Sequence, residues 1–162
     1  MTDLDLERYQ DPLTIQRVLH GARTIAIVGL SANPLRASNF VGFYLKRHDY
    51  RVIPVNPRET EILAEVSHPS LSDVADPVDV VNVFRAPDAL PAIAREAVAI
   101  NAGALWCQFG VINEEGARIA EEGGLDVIVD RCLKIEHARY MGRMHWLGFN
   151  TQRVTSVRSE LE

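Results

Sequence analysis

Residues 24–38, TIAIVGLSANPLRAS, constrain this chain more than any other stretch. A continuous apolar run (Ile25, Ala26, Ile27, Val28) stops at Gly29, a small polar loop follows, and a helix-period segment then begins. An apolar run of that length suits a strand buried on both faces, and a strand that breaks at glycine into a helix N-terminus is the geometry that holds a phosphate in α/β proteins. The loop reads G-x-S-x-x-P, with Ser31 and Pro34 where a dinucleotide fingerprint has its second and third glycines. The fragment alone therefore predicts a phosphate site without naming its ligand.

The rest of the chain repeats the alternation. Strand-like runs lie at 24–29, 51–55, 78–84, 103–109 and 125–129, short and rich in Val and Ile. Helix-period segments separate them at 38–48, 88–101 (with Asp88 as expected cap) and 113–122, where Asn113 caps and Gly123-Gly124 ends the helix. A lead-in helix is expected at 12–20, and a short helix or turn at SLSDV, 70–74. Alternating βαβ units give a parallel sheet with right-handed crossovers. The expectation is an α/β, Rossmann-like three-layer sandwich whose five strands take the order 3-2-1-4-5, with helices on both faces. Residues 1–140 form the domain, with 1–22 as lead-in, and 141–162 form an arm packing on the body or a neighbouring subunit.

Composition narrows the function classes. A net charge of -5 with no basic stripe argues against general nucleic-acid binding. No apolar run approaches a membrane span, and the polar, acidic start MTDLDLERYQDP is unlike a targeting peptide. Cys107 and Cys132 form no CxxC pair and sit beside apolar residues, as small core side chains do in a reducing compartment. A cytoplasmic location follows as the expectation. The histidines show no metal-ligand spacing, and there is neither a GxSxG elbow nor a Walker loop.

Ligands of open parallel sheets bind outside the carboxyl ends of the strands. After the first strand that rim offers Gly29, Ser31, Asn33, Arg36 and Ser38. Glycine permits close backbone approach, and the hydroxyls and guanidinium suit phosphate oxygens; Ser38 could equally be a helix cap. After the second strand come Asn56, Pro57 and Arg58, where an NAD site usually carries an acid for the ribose hydroxyls. An amide and a guanidinium there accept a phosphorylated ribose, as in coenzyme A or NADP, unless Pro57 merely turns the chain. Phe84 and Arg85 follow the third strand, and Gln108 and Gly110 the fourth. Arg85 could instead serve a structural salt bridge, and Asp130-Arg131 after the fifth strand suits a structural clamp. Amides, hydroxyls and arginines bind anions but supply no evident general base near pH 7.

VGLSANPLRAS, VIPVNPR, SLSDV, VDVVNVFRAPD, LWCQFGVINEEG and VDRCLKIEH, in that order, resemble the stand-alone CoA-binding domain proteins. These are related to the CoA-binding N-terminal domain of the succinyl-CoA synthetase α subunit. The resemblance covers about residues 10–140. It implies a Rossmann-like fold binding coenzyme A or an acyl-CoA, with Gly29, Ser31, Arg36 and Ser38 at the phosphates. Asn56, Pro57 and Arg58 would border the adenosine, Phe84 and Arg85 the cleft, and Gln108 and Gly110 the pantetheine. Ala64 departs from it, standing where many relatives have glycine, and the tail after about 140 is longer than in the shortest relatives. A single domain lacks room for the synthetase's phosphohistidine domain and ATP-grasp partner, so a non-catalytic CoA-binding module is expected. The alternatives are an NADP-dependent oxidoreductase and a nucleotide-sensing interaction protein working through the arm, with a homodimer or protein partner left open.

Overall fold

The computed structural model describes residues 3–141. The arm expected at 141–162 lies outside them, apart from Met141. The main sheet contains β1 (Thr24–Val28), β2 (Arg51–Val55), β5 (Val80–Val83), β6 (Ala104–Cys107) and β7 (Asp126–Ile128), all parallel. A small antiparallel hairpin of β3 (Glu61–Ile62) and β4 (Glu65–Val66) stands apart. The helices are α1 (Asp3–Glu7), α2 (Pro12–Gly21), α3 (Ala37–Arg47), α4 (Leu90–Ala99), α5 (Glu114–Glu122) and α6 (Leu133–Met141).

Successive strand residues point to opposite faces, and each face is buried. Ala26, Val28, Ile53, Val55, Val81, Val83, Leu105 and Val127 pack beneath α4 and α5. Ile25, Ile27, Val52, Val80, Trp106 and Ile128 pack beneath α2, α3 and α6. This is why the strands read as continuous apolar runs. Trp106 is wholly buried and donates its indole N–H to the Arg131 carbonyl at 2.9 Å. Cys107 and Cys132 are buried, and burial pushes the Cys107 thiol up to about 12.

The Rossmann-like class stands, but the strand order differs from the expected 3-2-1-4-5. The order is β2-β1-β5-β6-β7, so the third long strand joins the free side of β1, pairing Ile25 with Val80 through Val28 with Val83. Either placement needs a crossover connection, because these strands are all parallel. Residues 56–79 hold only the β3–β4 hairpin and a 3-10 turn at Leu71–Asp73. The space outside β2 receives a single parallel bridge, Val55 to His68. Asp79 then staples the new strand to β1: its carboxylate accepts from the backbone N–H groups of Arg23 and Thr24, both at 2.9 Å. The reversal of strand order therefore falls between β1 and β5, where such sheets bind ligands.

The helix ends follow side-chain chemistry. Asp11 caps α2 through Thr14, with Pro12 in the first turn, and Asn113 caps α5 by accepting from Gly116 N–H at 3.0 Å. Asp88 does not cap α4 as expected; it lies in a 3-10 turn, Pro87–Ala89, that leads into the helix. Nor does Ser38 cap α3, whose cap position is Arg36.

Candidate ligand-binding site

The loops after β1, β2 and β5 meet at the carboxyl edge of the sheet. Gly29 has φ 90°, in the left-handed region, and a β-carbon there would lie 2.5 Å from the Phe84 carbonyl oxygen and 2.9 Å from Arg85 Cδ. Only glycine lets these two turns close on each other. Gly29 N–H also donates to the Val55 carbonyl at 2.9 Å, tying in the end of β2.

Polar side chains then fix the β1 loop. Ser31 N–H donates to Ser38 Oγ at 3.0 Å, Asn33 N–H to Ser31 Oγ at 3.1 Å, and Leu35 N–H to Asn33 Oδ1 at 3.0 Å. Buried Asn39 donates from Nδ2 to the Ser31 carbonyl at 2.9 Å. Both serine oxygens accept in these bonds, which leaves the hydroxyl proton of half-buried Ser31 available to a ligand, whereas Ser38 is buried. The loop delivers the chain to α3 with no side chain capping its first turn, at the positive end of the helix dipole.

Asn56 is a bracket between loops. Its Nδ2 donates to the Leu30 carbonyl at 2.9 Å, and its Oδ1 accepts from Arg58 N–H at 2.8 Å. Pro57 and Arg58 are exposed beyond it. A cavity of about 230 Å³ opens beside them, lined by Val28, Val55, Pro57, Pro69, Leu71 and Arg85 among others. Phe84 packs, half-buried, against the α2–α3–α6 face of the core. Gln108 continues the rim from β6; it is 6% exposed, and its Oε1 is buried with no hydrogen-bond partner. Gly110, at φ 78°, lies beyond it, and a β-carbon there would meet nothing within 4 Å.

The electrostatics at this edge are uneven. Arg36, Arg58 and Arg85 at this edge form no ion pair among the described residues, nor do Arg23 and Arg47 away from it, whereas Arg8, Arg17, Arg51, Arg95, Arg118 and Arg131 each face a carboxylate. An uncapped helix start with a guanidinium, Arg36, at its cap position favours an anion. No group of acidic, His and Cys side chains among the described residues forms a metal-binding cluster, and none of their helices is long and apolar enough to cross a membrane.

Residues 23–138 match the family model for the CoA binding domain. The chain belongs to that family. The match begins just before β1 and ends inside α6, so the whole rim falls within it. YneT of Bacillus subtilis (strain 168), an uncharacterized protein, is 40% identical over 124 residues, covering 76% of this chain and 92% of that protein. A hypothetical protein from Pyrococcus horikoshii OT3 has a TM-score of 0.79 at 35% identity, covering 82% of this chain and 93% of its own. A Thermus thermophilus protein has a TM-score of 0.76 at 38% identity, covering 80% and 98%.

Sequence reasoning missed two contributors to this edge and named a third, Asp130, only as half of a structural clamp with Arg131. Asn39 hides in the first turn of a helix, Pro69 in an irregular segment, and Asp130 bonds Gly110 N–H at 2.8 Å from beyond the next strand. Only Asp130 carried a signal, as a charged residue ending a fully apolar run.

Proposed function

We propose that the chain binds coenzyme A, free or acylated, along this carboxyl edge, and that it does so without catalysing a reaction of its own. The observation that carries the reading is the strand-order reversal with Arg36 at the uncapped start of α3, Arg85 against Gly29 and Arg58 beyond the Asn56 bracket, none of them in an ion pair among the described residues. The pyrophosphate sits against the β1 loop and α3, where Gly29, Ser31, Asn33 and Ser38 shape the backbone and Arg36 adds charge. The adenine enters the apolar slot beside Val28, Val55 and Pro57, with Arg58 and Arg85 near the ribose phosphate. The pantetheine passes Phe84 and runs toward Gln108 and Gly110. Its amides bring N–H donors, which is what the unpartnered Gln108 Oε1 lacks.

Amides, hydroxyls, a phenyl ring and guanidiniums hold and orient an anion, and they are not the usual general acids and bases. The experiment is calorimetry and thermal unfolding with coenzyme A, acetyl-CoA, NADP and NAD. A ligand that binds only the folded state raises the midpoint according to its affinity. Coenzyme A or its acetyl ester should shift the midpoint and NAD should not. A shift by NADP alone would establish the competing reading, which Asn56 and Arg58 accommodate, and overturn this one.

A further inference from the structure

We propose that Asp130 is a positioning residue for the pantetheine side of the cleft, holding the backbone at Gly110 so that the loop after β6 receives the ligand. The inference rests on the coenzyme A reading. Asp130 lies two residues beyond β7 and reaches back to the neighbouring loop, where its Oδ1 accepts from Gly110 N–H at 2.8 Å. Within that loop Val111 N–H donates to the Gln108 carbonyl and Ile112 N–H to the Gly110 carbonyl, both at 3.0 Å. Gly110 N–H takes no part in those turns, and the Asp130 carboxylate is its partner. The other side of Gly110 is open space. The loop is thus held from the protein side by one charge-assisted bond and faces the ligand on the other.

Asp130 is itself held in place. Its φ of 58° is left-handed, a conformation that aspartate adopts more readily than most residues with a side chain. Arg131 supplies that grip. One guanidinium nitrogen donates to the Asp130 carbonyl and another to Gln10 Oε1, both at 3.0 Å, while Gln10 Nε2 donates to the Val129 carbonyl at 3.1 Å. Behind them Arg131 Nε stands 3.9 Å from the wholly buried carboxylate of Glu136. A chain of contacts therefore runs from α6 and the N-terminal segment to the rim, and ends on the Gly110 amide.

The test compares coenzyme A with 3′-phospho-ADP, which is coenzyme A without its pantetheine arm. Asp130→Gly removes the acceptor while easing the left-handed backbone, so the fold is retained. It should weaken coenzyme A about tenfold, the scale of one charge-assisted hydrogen bond, and leave 3′-phospho-ADP within about twofold. Asp130→Asn keeps an oxygen for Gly110 N–H and should retain coenzyme A affinity within about twofold. If wild-type protein binds and Asp130→Gly loses both ligands equally, or loses neither, the inference is overturned and the site reading stands. A loss in Asp130→Asn as large as in Asp130→Gly likewise overturns it. Wild-type protein that binds neither ligand overturns the coenzyme A reading and this inference together.

Discussion

The Phe84 carbonyl oxygen occupies the space that a β-carbon on Gly29 would need, at a separation of 2.5 Å. The β1 and β5 turns meet there, so the strand-order reversal is a contact between two backbones and not an open gap. Gly29→Ala must therefore push β1 and β5 apart while placing alanine at φ 90°. We expect a loss of at least about 2 kcal/mol in unfolding free energy, from left-handed strain and overpacking together. Chemical denaturation of the variant beside wild type measures it, and an unchanged midpoint would show that the turns yield without cost.

Arg58 stands exposed beyond the Asn56 bracket and makes no ion pair among the described residues. Reversing its charge with Arg58→Glu should weaken coenzyme A by about tenfold or more, and dephospho-CoA by much less. The difference should shrink at high salt, because the contact lies near solvent. Calorimetry with both ligands reads it; equal losses would remove Arg58 from the 3′-phosphate.

The β3–β4 hairpin turns through Leu63 at φ 53° and Ala64 at φ 62°. Leu63 earns its place by packing over α3, close to Gly42, and Lys46 Nζ donates to its carbonyl at 2.7 Å. Ala64 is exposed and its methyl only adds strain. Ala64→Gly should raise stability by about 1 kcal/mol, or roughly 2–4 °C in midpoint for a domain of this size. A thermal melt that moves down would refute the left-handed turn.

His137 is buried, with its Nδ1 2.9 Å from the Tyr44 hydroxyl, and desolvation followed by the nearby His48 holds its pKa down to about 4. The unfolded chain binds that proton near the ordinary value of 6.5, so between those values the unfolded state holds more protons. Stability from this group is complete above about pH 6.5 and is lost as pH falls toward 4, by roughly 3 kcal/mol. Glu136 works the other way: burial raises its pKa, so its cost to stability grows as pH rises through the carboxylate range. Urea unfolding at pH 7 and pH 4.5 separates the two, since His137→Gln should flatten the acid loss. A wild-type slope preserved in His137→Gln would assign the loss to other groups.

Much of the fold was legible because its signals are local. The strands at 24–28 and 51–55, the Asn113 cap and the Gly123 stop are each set by residues within one turn or one strand. The rim was legible for a related reason: in a parallel sheet, the residue after each strand necessarily reaches the carboxyl edge. The strand order was not. It lies in the pairing of β5 with β1, fastened by Asp79 reaching Arg23 and Thr24 across 56 and 55 positions, a contact that no periodicity records. The hairpin at 61–66 was too short for a pattern of alternation to identify.

For residues 24–38 the division is clear. The sequence by itself determined a buried strand, a break at Gly29 and a helix start, because burial on both faces and backbone freedom are properties of those residue types. Only the tertiary structure decided what the break faces. It brought Phe84 against Gly29, spent the oxygens of Ser31 and Asn33 on the loop's own shape, and left Arg36, Arg58 and Arg85 without carboxylate partners. The physical reason is that periodicity records which side chains leave water, whereas charge pairing and backbone contact depend on which distant segments the packing brings together.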